Sequence, residues 1–134
     1  MSAFQKDYQY GIQQQTALLP QLEVFFKDDL KEAKSKFAKY DYEGTTTSYE
    51  LKSRNNTKDA YLTTCLPSDK VCLSHMKKQV YLFNFTDGLY YIQYDKVLFD
   101  TFEKKPFRRY RSGVNDVEKP YLYIPVESLK KVSF

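Results

Sequence analysis

The sequence contains little cysteine, histidine or glycine and no tryptophan. Its two cysteines, Cys65 and Cys72, are too few for a disulfide framework or a structural zinc site, which predicts free thiols in an intracellular, reducing compartment. The single histidine, His75, has no second histidine to act with, so histidine-based catalysis and histidine-ligated zinc are unsupported. No glycine-rich phosphate loop occurs, which argues against a nucleotide-driven activity.

Long hydrophobic runs are also missing. No apolar stretch reaches about 18 residues, the length that a membrane-spanning helix needs, so we expect no membrane partner. The first residues, MSAFQKDYQYG, lack the apolar centre of a signal peptide, in keeping with the expected intracellular location. At 134 residues the chain is long enough to form one domain, residues 1–134, around one buried core.

Tyrosine and phenylalanine are abundant, and aromatic residues make up 17% of the chain. Such residues favour strands, because the ring packs against the sheet while a tyrosine hydroxyl reaches a wet edge. The net charge is only +4, but cations concentrate in the basic segment, residues 104–111. This segment is either a phosphate-binding edge or a solvated edge strand, and its cations are Lys104, Lys105, Arg108, Arg109 and Arg111.

Hydrophobic periodicity predicts the order helix, hairpin, helix, hairpin, strand and short helix. Pro20 is expected to kink or break the first helix, and Gly44 lies at the turn of the first hairpin. The charged residues 27–36 are a weak helix or a loop, and Asp87-Gly88 predicts a type I′ turn in the second hairpin. An α/β architecture follows, in which helices pack on the faces of a sheet. The predicted ranges are 8–26, 37–53, 69–79, 80–95, 121–124 and 125–132.

The first predicted hairpin places three charged residues on one face of the sheet. Glu50 and Lys52 stand at i and i+2 of a strand, so their side chains project from the same face. Residues directly opposite each other in an antiparallel pair also face the same way. Any even loop length therefore adds Asp41 to this face, whereas an odd loop or a β-bulge does not.

Two neighbouring carboxylates repel each other unless a cation lies between them. Mg²⁺ suits this position, as does Mn²⁺, because it binds carboxylates, carbonyl oxygen, water and substrate phosphate. We therefore predict that Asp41, Glu50 and the Leu51 carbonyl bind a metal ion, while Lys52 positions the attacking water and offsets transition-state charge. These groups predict phosphodiester hydrolysis. An ordinary solvated strand face is the alternative.

Asp41, followed at a short distance by Glu50-Leu51-Lys52, resembles the signature of the PD-(D/E)XK nuclease superfamily. The resemblance implies a restriction-endonuclease-like α/β fold, with a central mixed sheet flanked by helices. The family places its aspartate and its Glu-x-Lys on adjacent antiparallel strands, after one helix and before a second, in line with the order predicted here. The first helix of the family often adds an acidic or amide residue to the metal site. The resemblance implies this role for Gln14, Gln15 or Glu23.

The chain is also similar, over most of its length, to short nuclease-like proteins of large DNA viruses, which implies action in the cytoplasm or nucleus of a host. The resemblance implies DNA rather than RNA as the partner. A domain this small implies recognition of DNA structure, either as a homodimer similar to the junction resolvases of the superfamily or with a partner. Further phosphate contacts are expected from Arg54, Asn55, Lys58, Lys70 and the basic segment.

A non-catalytic nucleic-acid-binding module is the alternative from another functional class. It would use the basic segment and a base-stacking platform on the second hairpin, built from Tyr81, Phe83, Tyr90 or Tyr94. A buried core sheet is the competing interpretation of those aromatic residues. A degenerate nuclease fold that binds neither metal nor DNA is the third interpretation.

Overall fold

The computed structural model describes residues 3–32, 40–71, 77–107 and 119–133. These residues form a long helix, α1 (Ala3–Phe26), a short helix, α2 (Lys96–Phe99), and nine strands. The strands are β1 (Lys31–Glu32), β2 (Tyr42–Glu43), β3 (Thr47–Ser53), β4 (Thr63–Pro67), β5 (Lys78–Phe85), β6 (Gly88–Gln93), β7 (Glu103–Phe107), β8 (Lys119–Pro125) and β9 (Lys130–Lys131). Three single 3₁₀ turns lie at Lys58–Ala60, Ser68–Lys70 and Val126–Ser128.

The strands form two sheets. The main sheet has the order β1-β2-β3-β5-β6-β9, and the second sheet has the order β4-β8-β7. All neighbouring strands are antiparallel except β3 and β5, which run parallel, so the main sheet is mixed. The prediction of an α/β fold around a mixed sheet is therefore confirmed.

Helix α1 covers one face of the main sheet. Leu18, Leu22, Phe25 and Phe26 recur at the spacing of one helical stripe, and they pack on a layer of strand residues. That layer comprises Tyr42, Tyr49, Val80, Leu82 and Leu89. The helix continues through Pro20 to Phe26, so a single helix, rather than two abutting ones, spans the predicted range.

The second sheet covers the opposite face. Tyr81, Phe83 and Phe85 alternate with the residues beneath α1 along β5, and they pack on Leu66, Leu122 and Ile124 of β4 and β8. Strand β5 is therefore buried on both sides, which explains why its sequence is apolar throughout. Among the described residues, the only helical contribution to this face is Phe99 of the short helix α2, whose ring centre lies 6.0 Å from that of Tyr81. A second sheet, rather than the predicted helix, provides the main layer there.

Helix α1 ends in a Schellman motif, in which the Asp28 N–H donates to the Glu23 carbonyl over 3.3 Å. Lys27 adopts the left-handed φ of 52° that this motif requires. The chain then continues as strand at Lys31 and Glu32, so the helical alternative for the start of residues 27–36 is wrong. The hydrogen-bonded helix end, rather than a change in composition, sets this boundary.

The segment between the two hairpins differs from its prediction. The residues between the predicted first hairpin and the predicted second helix, for which no element was predicted, contain β4, and this strand pairs with the distant β8. A 3₁₀ turn replaces the start of the predicted helix, and Lys78 and Gln79 at its end belong to β5. Residues 72–76 lie outside the described residues. The predicted C-terminal helix is only the 3₁₀ turn Val126–Ser128, followed by β9.

The second hairpin is present, but its turn is not the predicted one. Phe85 pairs with Gly88, so the two turn residues are Thr86 and Asp87 rather than Asp87 and Gly88. Neither turn residue has a positive φ, which excludes type I′. Asp87 Oδ1 instead accepts the Lys58 N–H over 2.9 Å, because the loop after β3 docks on this turn.

Candidate nuclease-like site

The first hairpin has the even loop length that the site prediction requires. Glu43 pairs with Ser48, which leaves four residues, 44–47, between these two paired positions. Asp28 organises this loop: its carboxylate accepts the Thr45 N–H over 3.0 Å and the Tyr49 hydroxyl over 3.1 Å. A Cβ atom at Gly44 would lie 1.9 Å from Asp28 Oδ2, so a larger residue there would have to displace the Asp28 carboxylate. The Thr45 N–H holds the pKa of Asp28 below its usual value, since it stabilises the ionised carboxylate.

Asp41 lies directly before the start of β2, in the arrangement of a β-bulge. Its N–H donates to the Tyr49 carbonyl over 3.0 Å, although Tyr49 is already the partner of Tyr42. Two residues thus oppose one, which re-aims the side chain of the extra residue. Asp41 Oδ2 accepts the Leu51 N–H over 2.6 Å. The even-loop argument for a shared face of Asp41, Glu50 and Lys52 is therefore wrong, because the bulge interrupts the register. The Asp41 carboxylate lies instead against the main chain of Leu51, the middle residue of the motif.

Gln15 connects helix α1 to this bulge. Its side-chain Nε2 donates to the Asp41 carbonyl over 3.0 Å, and the Tyr42 hydroxyl donates to the Gln15 carbonyl. Gln15 is buried, as is Tyr42, and burial raises the pKa of the Tyr42 hydroxyl, with the Asp41 charge adding to the effect. The first helix thus reaches the predicted site through Gln15, whose amide contacts the Asp41 backbone.

The other helix candidates do not join this contact in the described structure. Glu23 Oε2 accepts the Leu30 N–H over 3.3 Å, at the end of α1. The side chain of Gln14 lies outside the described residues. Tyr42 was not singled out in the sequence, although the alternation of Tyr40 and Tyr42 with polar residues is the pattern of a half-buried strand.

Glu50 and Lys52 form an ion pair on the face of β3 that points to the second sheet. Lys52 Nζ lies 3.0 Å from Glu50 Oε1, and Glu50 is only 6% exposed. Their neighbours on β5 are Tyr81 and Phe83, both in the core between the sheets. The expected shared face of Glu50 and Lys52 is therefore present, and it is a nearly buried charged pair rather than a solvated one.

The Leu51 main chain faces the Asp41 side of β3. Its N–H points to Asp41, and in an extended strand the N–H and C=O of one residue point to the same side. Across the described ranges no three histidine, cysteine, aspartate or glutamate side chains converge. A cation bound here would rely on the Asp41 and Glu50 carboxylates, the Leu51 carbonyl and water, and this all-oxygen set suits Mg²⁺ or Mn²⁺.

Arg54 anchors the end of β3 to the second sheet. Its Nη2 donates to the Cys65 carbonyl over 2.6 Å and its Nε to Thr64 Oγ1 over 3.4 Å. The guanidinium also lies 5.7 Å from the centre of the Phe83 ring. These contacts give Arg54 a structural role that the sequence did not predict, in addition to the phosphate contact expected of it.

Three of the remaining predicted phosphate-binding residues, Asn55, Lys104 and Lys105, are exposed in the described structure. Asn55 is exposed, and Lys58 lies over the Tyr90 ring with its Nζ 3.2 Å from Asp59. Lys104 and Lys105 are exposed on the edge strand β7, which places the first part of the basic segment in the second sheet. The Lys70 side chain and all of Arg108, Arg109 and Arg111 lie outside the described residues.

The proposed base-stacking platform is not available. Tyr81 and Phe83 are fully buried between the two sheets, and Tyr90 and Tyr94 pack against the same cluster. The core-sheet interpretation of the second hairpin is therefore confirmed.

Among the described residues, no helix combines the length and hydropathy needed to cross a bilayer.

Comparison with known proteins adds no relative from which a function could be transferred. No protein-family model, curated protein or solved structure matches the chain.

Proposed function

We propose that the protein is a metal-dependent nuclease of the PD-(D/E)XK type that hydrolyses phosphodiester bonds in DNA. The observation that carries the proposal is the 2.6 Å hydrogen bond from the Leu51 N–H to Asp41 Oδ2. It holds one carboxylate against a motif whose flanking residues are a nearly buried carboxylate and a lysine. A buried ion pair adds little net stability, because desolvation offsets the attraction between the charges. Its presence here therefore favours a chemical role for the pair.

The chain order around the site supports a restriction-endonuclease-like arrangement. A helix is followed by the antiparallel strands β1, β2 and β3, and Asp41 and the Glu50-Leu51-Lys52 motif lie on the two arms of one hairpin. The helix contributes Gln15 to the backbone of Asp41. These are the relations expected from the resemblance, apart from the second helix, whose central residues lie outside the described part of the chain.

The residues of the site have different roles in phosphodiester hydrolysis. Asp41, Glu50 and the Leu51 carbonyl would hold Mg²⁺ or Mn²⁺, which when bound supplies Lewis-acid polarisation of the scissile phosphate. Gln15 keeps the Asp41 main chain, and hence its carboxylate, in place. The Leu51 N–H already holds the Asp41 carboxylate before any substrate binds. Groups that are fixed in advance in this way contribute most to electrostatic catalysis.

Lys52 stands beside the carboxylate that would hold the metal. Its ammonium lies 3.0 Å from Glu50 and offsets the charge of that carboxylate. With a cation held by Glu50, Lys52 would orient the attacking water and offset the negative charge that develops on the phosphate oxygens.

The test is cleavage of supercoiled plasmid and of a branched DNA, with Mg²⁺, with Mn²⁺ and with chelator. We expect metal-dependent cleavage by the wild-type protein and its loss in Glu50→Ala and Lys52→Ala. The matched control is Lys96→Ala with Asp100→Ala, which removes an exposed ion pair of 2.7 Å far along the chain and should leave cleavage unchanged. DNA binding without cleavage in any metal, unaffected by Glu50→Ala, would refute the proposal in favour of a non-catalytic binding module.

A further inference from the structure

A second carboxylate shares the face of the sheet on which Glu50 lies, and it belongs to Glu43. Glu43 is the direct partner of Ser48 in the antiparallel pair of β2 and β3, so their side chains project to the same side. The Ser48 hydroxyl donates to Glu43 Oε2 over 3.0 Å, which confirms this shared side. Ser48 and Glu50 stand two positions apart on β3, so Glu50 projects to that side as well.

The bulge at Asp41 leaves this position to Glu43. An uninterrupted register would place Asp41 opposite Glu50, but two residues oppose Tyr49 and the register is interrupted. Asp41 Oδ2 instead accepts the Leu51 N–H from beside the strand. The acidic neighbour of Glu50 on its own face is therefore Glu43, at the diagonal position across the strand pair.

The two buried residues of this group keep oxygen lone pairs without a donor. Glu50 is 6% exposed, yet across the described ranges only Lys52 forms a hydrogen bond or ion pair with its carboxylate. A carboxylate has about four positions for donors, and buried polar groups are normally hydrogen-bonded. Ser48 is 1% exposed, and within the same ranges its hydroxyl oxygen accepts no hydrogen bond. These oxygen atoms are therefore available as ligands of a cation.

The two carboxylates differ in their access to solvent. The Glu43 side chain is 42% exposed and the Glu50 side chain only 8%, so an ion would enter at Glu43 and reach Glu50 beneath it. Each carboxylate has a lysine beside it: Lys77 Nζ lies 2.8 Å from Glu43 Oε2, and Lys52 Nζ lies 3.0 Å from Glu50 Oε1. The two ammonium groups offset the repulsion between the carboxylates, as a divalent cation bound between them would also do.

We propose that Glu43, Glu50 and the Ser48 hydroxyl bind one Mg²⁺ or Mn²⁺ ion together, with water completing its ligands. The inference rests on the proposed nuclease function and deepens it, because it adds Glu43 and Ser48 to the ligands of the ion at Glu50. Diagonal neighbours across a strand pair lie roughly 7 to 8 Å apart, so two glutamate side chains can reach a common ion. Carboxylates and water are the ligands that these ions prefer, and a serine or threonine hydroxyl also binds Mg²⁺ in phosphate-binding loops.

A brace of the hairpin loop is the competing role for Glu43. Lys77 Nζ also donates to the Gly44 carbonyl over 3.3 Å, which links Glu43 to the loop. The Lys77–Glu43 pair is well exposed to solvent, however, and exposed ion pairs contribute little to stability. A brace also leaves the buried oxygen atoms of Ser48 and Glu50 without donors.

The test measures Mn²⁺ binding to the full chain by electron paramagnetic resonance, with Mg²⁺ as competitor. We expect Glu43→Gln to weaken Mn²⁺ binding by at least about tenfold, because it removes a ligand charge at constant side-chain size. Lys77→Met should strengthen binding by about fivefold, since its ammonium no longer competes for Glu43 Oε2. Both variants lose the same ion pair, so opposite changes in affinity identify Glu43 as a ligand.

The control variant is Glu103→Gln. It removes a carboxylate that lies 3.0 Å from Lys105 Nζ on the exposed strand β7, and it should bind Mn²⁺ as the wild type does. Glu43→Gln and Lys77→Met should keep urea unfolding midpoints close to that of the wild type, because the pair that they break is exposed. A change in Mn²⁺ affinity is then not a loss of folding.

The outcomes separate this inference from the proposed function. Unchanged Mn²⁺ affinity in Glu43→Gln, with metal-dependent cleavage that Glu50→Ala abolishes, would overturn the Glu43 ligand and leave the nuclease. Mn²⁺ binding that needs Glu43, in a wild-type protein that cleaves no DNA with any metal, would support the metal site and refute the nuclease. A fall in affinity in both Glu43→Gln and Lys77→Met would overturn the ligand role in favour of the brace. A wild-type protein that binds no Mn²⁺ would overturn it as well.

Discussion

The Glu50–Lys52 ion pair makes a quantitative prediction about stability. The two charges are 3.0 Å apart, and the exposed fractions of their side chains are 8% for Glu50 and 24% for Lys52. At an effective dielectric constant of about 20, charges at this distance attract by about 5.5 kcal/mol, and desolvation offsets most of that gain. The pair therefore adds little to the free energy of unfolding, whereas replacing only one of its two residues is strongly destabilising.

Lys52→Met leaves the Glu50 carboxylate nearly buried without its partner. We expect the free energy of unfolding to fall by about 3 kcal/mol, the low end of the range for buried pairs, because some water reaches the site. Glu50→Gln should cost about 1 kcal/mol, since the more exposed Lys52 ammonium can turn to solvent. The double variant leaves no unpaired charge and should lie within about 1 kcal/mol of the wild type.

Urea unfolding followed by circular dichroism measures the complete cycle, which should give a coupling energy of about 3 kcal/mol. The control cycle uses Lys96→Met and Asp100→Asn, whose ion pair is largely exposed and should couple by less than about 0.5 kcal/mol. A Glu50–Lys52 coupling below about 1 kcal/mol would refute the reasoning, as would a double variant as unstable as Lys52→Met. A stable double variant without nuclease activity would show that the pair serves chemistry rather than folding.

Three further predictions concern the hairpin loop and the end of α1. Lys27→Gly should raise the free energy of unfolding by about 1 kcal/mol, because glycine adopts the φ of 52° without steric cost; a decrease in urea unfolding would contradict this. The Thr45 N–H lowers the pKa of Asp28 below its unfolded value of 3.8, so the stability from Asp28 is present above that pH and is lost as the pH falls through the folded pKa. Asp28→Asn should therefore flatten the acid limb of stability against pH, and an unchanged limb would count against this. Burial raises the pKa of Tyr49 from 10.0 to about 12, so its contribution is present below pH 10 and declines towards pH 12; Tyr49→Phe should reduce this alkaline loss, and an equal loss would disprove the assignment.

The site residues show which contacts could be predicted from the sequence and which could not. The pairing of Glu50 with Lys52 follows from strand periodicity, and the structure brings the two charges together as expected. The contact of Gln15 with Asp41 joins residues 26 positions apart, and only the resemblance, not the local pattern, indicated that the helix would contribute there. The bulge at Asp41 depends on competition for the Tyr49 carbonyl, which no periodicity records.

The sequence by itself determined the elements whose hydrophobic period is long and regular. Helix α1 and the two hairpins were predicted because their apolar residues repeat every 3.6 or every two positions over enough residues to define a face. The continuous apolar run in β5 indicated a strand that is buried on both sides, but it did not indicate which elements would cover the two sides.

Only the tertiary structure decided what covers the second face of the main sheet. Strand β4 is short and polar at its start, and it becomes a strand because β8, more than 50 residues later, supplies its hydrogen-bond partners. Likewise, Asp87 gives its side chain to the Lys58 N–H instead of forming the turn that its own sequence favours. These hydrogen bonds depend on which distant backbone N–H and C=O groups need partners once the core has formed. The pattern within a single segment does not show which distant segment will provide those partners.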